Sequence, residues 1–197
     1  MKGALITLLF FVFGCVLSLN ELTPEVLLEH DLSTYALYGL MTLVGVSLGM
    51  DEASINILKK ANLGLLLVPV SIGFGSIVGS GIAYWLISES FTEGMAVGAG
   101  FGYYSLSSII ISNTYDSILG VIALLSNISR ELLSLLLAPV LVKVFGKMSP
   151  IASAGATSMD TTLPVITRFS GKEYAIVALF SGIVLTILVP LLIPLIL

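Results

Sequence analysis

Two carboxylates lie inside sequence that is otherwise suited to lipid, and they are the residues best placed to do chemistry. Glu131 stands in Ser126-Asn127-Ile128-Ser129-Arg130-Glu131-Leu132-Leu133, between an apolar run from Ile118 to Leu125 and another through Val142. Asp160 stands in Gly155-Ala156-Thr157-Ser158-Met159-Asp160-Thr161-Thr162-Leu163-Pro164, a segment too polar to face lipid yet embedded between Val140 and Ile166. An ionisable group within a membrane span costs at least about 2.5 kcal/mol, so it marks a functional site by default. A desolvated carboxyl can hold a cation and release it for a proton. If the first segment is helical, Asn127 and Glu131 share a face, while Arg130 points about 100° away and needs another partner. Asp160 is the expected partner, which would leave the two acids and Arg130 with one net negative charge.

A third polar element, Gly98-Ala99-Gly100-Phe101-Gly102-Tyr103-Tyr104-Ser105-Leu106-Ser107-Ser108, combines flexible backbone, two phenols and a row of hydroxyls. Tyr103 and Tyr104 can hold an ammonium over their rings, and Tyr rings also anchor at membrane interfaces. With Ser105, and with Thr157 and Ser158 of the Asp160 segment, they complete the candidate binding residues. Glu89, Glu93 and Asp116 sit beside expected span ends and need no special function.

The elements that must position these groups follow from composition. Of 197 residues, 57% are hydrophobic and 10% charged, and the mean hydropathy is +1.10, whereas a soluble domain is about one-quarter charged. Lipid is therefore the solvent. A bilayer core needs about 20 apolar residues per helix, so the chain reads as one all-α, polytopic transmembrane transport domain. Apolar runs at Ala4–Leu19, Thr34–Met50, Ala61–Ile87 and Tyr174–Leu197 are ordinary spans. Residues 1–90 thus hold three amino-terminal spans, and residues 91–197 form the motif-bearing region. Lys2 ahead of the first run resembles a signal peptide, but Phe13 is bulky beside Gly14-Cys15, which favours a retained helix.

Between Phe91 and Gly171 the apolar runs are broken at Gly98–Gly102, Asn113–Asp116, Asn127–Glu131 and Gly155–Pro164. Unwound backbone at membrane depth is tolerated only where protein or a wet cavity surrounds it, so these breaks predict discontinuous or re-entrant helices. Lys59-Lys60, Lys143, Lys147, Arg168 and Lys172 mark the cytoplasmic side. Glu93–Val144 then makes one net crossing, Ser149–Ser170 enters and leaves from inside, and the carboxyl terminus lies outside, whereas counting apolar runs alone gives two crossings of Glu93–Val144 and reverses everything after it. Gly73, Gly75, Gly79 and Gly81 predict close helix packing through small residues.

The net charge of −4 and the scattered eight Lys and Arg residues offer no nucleic-acid surface. One Cys15 and one His30 exclude a disulfide and a zinc cluster. No cofactor is expected, and no P-loop is present to drive the chain by hydrolysis. Tyr115-Asp116 matches the first aspartate motif of intramembrane aspartyl proteases, but the Gly-x-Gly-Asp partner that would share a proton with it is missing. A non-transporting subunit that scaffolds a partner remains the other alternative.

At the three polar elements the sequence resembles the LysO-type lysine exporter family, through GFGYYSLSSIII, SNISRELLSLLLAPVL and GATSMDTTLPVITR in that order. The resemblance implies inner-membrane export of L-lysine and its analogues by proton antiport, and it carries the family's two essential acids onto Glu131 and Asp160. Longer family members begin with an extra hydrophobic region, so a homodimer or a small companion membrane subunit is the implied partner.

Overall fold

In the computed structural model, residues 63–88 and 90–197 are described, together with isolated helical positions between 13 and 50. The expected spans Ala4–Leu19 and Thr34–Met50 lie outside the described residues apart from those positions. So do Lys2, Cys15, the connection Asn20–Ser33 with His30, the Lys59-Lys60 pair and Glu89. Every regular element among the described residues is helical.

Among the described residues, three helices are long and apolar enough to cross a membrane. They are α1 (Leu63–Ser88), α4 (Ser117–Phe145) and α7 (Ala175–Ile196). Helix is the form that satisfies every backbone group within one lipid-facing segment. α1 and α7 contain no charged residue, and their run of apolar side chains goes all the way round. α4 starts where Asp116 Oδ2 accepts from the Leu119 N–H at 2.9 Å, and it ends at Gly146, whose φ of 87° turns the chain off the helix.

The segments between these helices are the discontinuous ones. α2 (Phe91–Gly98) and α3 (Tyr104–Thr114) are separated by an unwound stretch in which Phe101 (φ 50°) and Gly102 (φ 92°) reverse the chain. The two arms come back to the same end of the molecule, because the Tyr115 hydroxyl donates to Glu93 Oε1 at 3.1 Å. α5 (Ser149–Ala154), a 3₁₀ turn at Gly155–Met159 and α6 (Leu163–Phe169) repeat this plan. Here Gly155 (φ 67°) makes the reversal, and Lys147 pairs with Glu173 across the mouth at 3.4 Å.

Each unit is thus a long helix followed by a re-entrant hairpin. Because α4 carries the chain from one end of the molecule to the other, the hairpins enter from opposite ends. Two such units, inverted with respect to one another, are a common plan in secondary transporters. Between Glu93 and Ser170, α4 is the one helix long and apolar enough to cross a membrane.

Small residues let the parts approach. Gly94 sits where a Cβ would strike Tyr84 and the Ser80 carbonyl, and Gly98 lies hard against Ser76 and Ser80, so α2 is pressed onto α1. Gly120 joins α4 to α3 at Ser108 and Ser112 in the same way, and Gly182 joins α7 to Ala156 and Met159. Of the four α1 glycines expected to pack, Gly73 abuts Leu185 and Phe101, and Gly81 abuts Phe91 and Met95. Gly75 and Gly79 instead meet nothing within 4 Å among the described residues.

Candidate functional site

The hairpin tips touch at the level of the middle of α4, where the Ala156 N–H donates to the Phe101 carbonyl at 2.8 Å. Breaking a helix leaves carbonyls at one end and N–H groups at the other without intrahelical partners. Side chains of α4 supply much of what is missing. Asn127 is 3% exposed. Its Nδ2 donates to the Val97 carbonyl at 3.2 Å, at the end of α2, and to Ala123 O at 2.9 Å, while its Oδ1 accepts from the Gly102 N–H at 2.7 Å. One amide therefore holds both sides of the first break.

Arg130, three residues on, serves the second hairpin. Its Nε donates to Ser153 O at 2.7 Å and an Nη to Ala152 O at 3.1 Å, both carbonyls of the last turn of α5. Its other Nη donates to Ser76 Oγ on α1 at 2.6 Å. Asp160 is not among these partners, which corrects the expected pairing. The guanidinium's donors instead meet the partly negative carbonyls at the carboxyl end of α5, which lack intrahelical partners where the helix breaks. Ser134 strengthens the same joint, with its Oγ 2.6 Å from Ser153 Oγ.

Glu131, half-buried on the adjoining face of α4, interacts electrostatically with Tyr104 at the amino end of α3, and Asp160 interacts with both Tyr103 and Tyr104. A helix amino end favours a carboxylate beside it. Asp160 itself is exposed, and its Oδ1 accepts from the N–H of Thr161 at 2.5 Å and from the Thr161 hydroxyl at 3.2 Å. A cavity of about 50 Å³ lies between Tyr103, Ala156, Thr157, Met159, Asp160 and Thr186. It has room for a few waters and is well below the roughly 300 Å³ of a small-molecule pocket.

The remaining expected residues divide. Thr157 lines this cavity, although its hydroxyl is engaged by Ala154 O at 3.1 Å. Ser158 is fully buried, and it donates to Gly155 O at 2.7 Å and Ala178 O at 2.8 Å, so it fastens the 3₁₀ turn to α7 rather than facing the cavity. Ser105 is half-buried on the first turn of α3, with its carbonyl accepting from Ser108 Oγ at 3.4 Å. Sequence reasoning missed Ser76, Ser134 and Ser153. A serine in an apolar helix is common and carries no signal until a partner is visible.

Opposed hairpins that meet at mid-depth beside two carboxylates define a membrane transport protein. The chain belongs to the lysine exporter LysO family, whose pattern matches residues 8–197, a family of transporters rather than enzymes. It is 34% identical over 158 residues to a putative lysine exporter of Haemophilus influenzae, covering 80% of each chain. It is 31% identical over 187 residues to the lysine exporter LysO of Escherichia coli K12, covering 92% of this chain and 60% of that one. No solved structure matches it.

Proposed function

We propose that this chain exports lysine across the cytoplasmic membrane in exchange for protons, with Glu131 and Asp160 alternating between holding the cation and holding a proton. The observation that carries this reading is that Asp160 and Tyr103 line one cavity and both acids interact electrostatically with Tyr104, while the Arg130 guanidinium is engaged by carbonyls and a hydroxyl. The site is then a pair of carboxylates without a built-in counter-charge. On this reading each carboxylate binds either the ammonium or a proton and not both at once, which couples the two flows. Tyr103 and Tyr104 offer ring faces to an ammonium, and the names of the relatives supply lysine as the cation.

Orientation follows from the basic residues. Lys143, Lys147 and Lys172 gather with Arg168 around the mouth of the second hairpin, while Glu93 and Asp116 mark the mouth of the first. The positive-inside rule places the former end in the cytoplasm, and α7 then carries the carboxyl terminus outside. Asp160 and Thr161, exposed on the described residues, require cover in lipid, for which a second copy or a small companion subunit is suited.

Lysine counterflow into proteoliposomes tests the reading, with Glu131→Gln and Asp160→Asn as the variants. Flux at the level of empty vesicles is expected for both, together with internal pH changes that follow flux in the wild type. Full transport by both variants would sink the site, and flux indifferent to the proton gradient would sink the exchange.

A further inference from the structure

Ser76 has a position that the proposed transport role of the acids does not use. Its hydroxyl accepts from Arg130 at 2.6 Å and donates to the Gly98 carbonyl at 2.8 Å. Arg130 in turn holds the Ala152 and Ser153 carbonyls. A continuous chain of hydrogen bonds therefore runs from the carboxyl end of α5, through one guanidinium and one hydroxyl, to the carboxyl end of α2. It joins the first arm of one hairpin to the first arm of the other. The approach that makes this possible is built in, since a Cβ at Gly98 would collide with Ser80 and the Ser76 carbonyl.

We infer that Ser76 and Arg130 are positioning residues that form a latch between the two hairpins, so that the tips open and close together during transport. Arg130 and Ser76 border an open groove of about 440 Å³ along α1, also lined by Ser71, Gly75, Gly79 and Ala152. Arg130 keeps its Ala152 and Ser153 carbonyl partners when the Ser76 bond breaks, so the latch can release without stranding a charge. Asn127 differs in kind. It bonds within α4 and to the first hairpin alone, so it fixes one tip without joining the two.

The latch rests on the transport reading for its purpose but not for its detection. Amide hydrogen exchange of the purified full-length chain is compared for wild type, Ser76→Ala, Ser76→Thr and Asn127→Ala, following peptides from residues 97–103 and 154–162. Ser76→Ala is expected to speed exchange in both tips by a similar factor, about tenfold for loss of one charge-assisted bond. Ser76→Thr, which keeps the hydroxyl, restores protection, and Asn127→Ala speeds the first tip alone. In proteoliposomes Ser76→Ala is expected to lower the maximal lysine flux with an unchanged half-saturating concentration. Faster exchange confined to residues 97–103 in Ser76→Ala, or no change in either tip, overturns the latch. Loss of both tips in Asn127→Ala overturns it as well, since any local loosening would then do the same. A chain that moves no lysine but shows the shared exchange response keeps the latch and removes the lysine reading.

Discussion

The two hairpins share a plan and differ in chemistry. The first is closed by a neutral amide and packed to its tip: Ala99 and Phe101 are both fully buried, and Gly98 and Gly100 leave no room for a side chain. The second is closed by a guanidinium and carries Asp160, with Thr161 beside it exposed and hydroxyls at Thr157, Ser158 and Thr162. A neutral tip asks only for its broken backbone to be satisfied, which Asn127 does with three hydrogen bonds. On the proposed reading, a tip that handles charge needs a partner that does not compete for it. Arg130 meets that need by binding backbone carbonyls instead of the acid.

The largest expected effect breaks the charged side of this comparison. Asp160→Asn should abolish lysine counterflow while leaving thermal stability in detergent near wild type, because among the described residues its carboxyl is hydrogen-bonded only to the adjacent Thr161. A large fall in melting temperature would instead make Asp160 structural. Next comes steric damage to the crossing. Gly155→Ala places a Cβ against the Phe101 carbonyl at positive φ, which should cost about 2 to 4 kcal/mol from overpacking and left-handed strain together. Gly79→Ala on α1 meets nothing within 4 Å and should be neutral or mildly stabilising by the same thermal measurement.

Asn127→Leu sharpens the comparison, since it leaves the first break short of a donor and an acceptor in a buried place. A loss of about 1 to 3 kcal/mol is expected, read as an early unfolding of the first hairpin in pulsed proteolysis. Equal susceptibility of the second hairpin would show that the two are not separately held. The smallest effect belongs to the mouth of the first hairpin. Asp116→Ala removes the cap of α4 and should lower stability by about 1 kcal/mol, with lysine flux unchanged.

Much of this architecture was legible in the residues. Uncharged runs fixed α1 and α7 to within a few positions, because lipid leaves helix as the one way to satisfy a lone segment. The glycines and hydroxyls at Gly98–Gly102 and Gly155–Pro164 marked two breaks for the converse reason, whereas the break expected at Asn127–Glu131 is continuous helix within α4, its polar side chains turned outward to satisfy the hairpins instead of interrupting their own backbone. Glu131 and Asp160 stood out by their cost in lipid. The pairing of Arg130 did not follow from spacing, and the net-charge argument built on an Arg130–Asp160 contact fell with it.

What the sequence determined by itself was therefore local: which segments are lipid-compatible helix, where helix must fail, and which side chains are too costly to be incidental. Those properties depend on residue type and neighbours along the chain. Partnership was decided only by the tertiary structure. Arg130 chose Ala152, Ser153 and Ser76 over a carboxylate because folding brings the unpaired carbonyls of a broken helix within reach of α4. Ser76, unremarked in an apolar run, became a junction for the same reason, since a hydrogen bond between residues far apart in sequence exists only once the fold has set their distance.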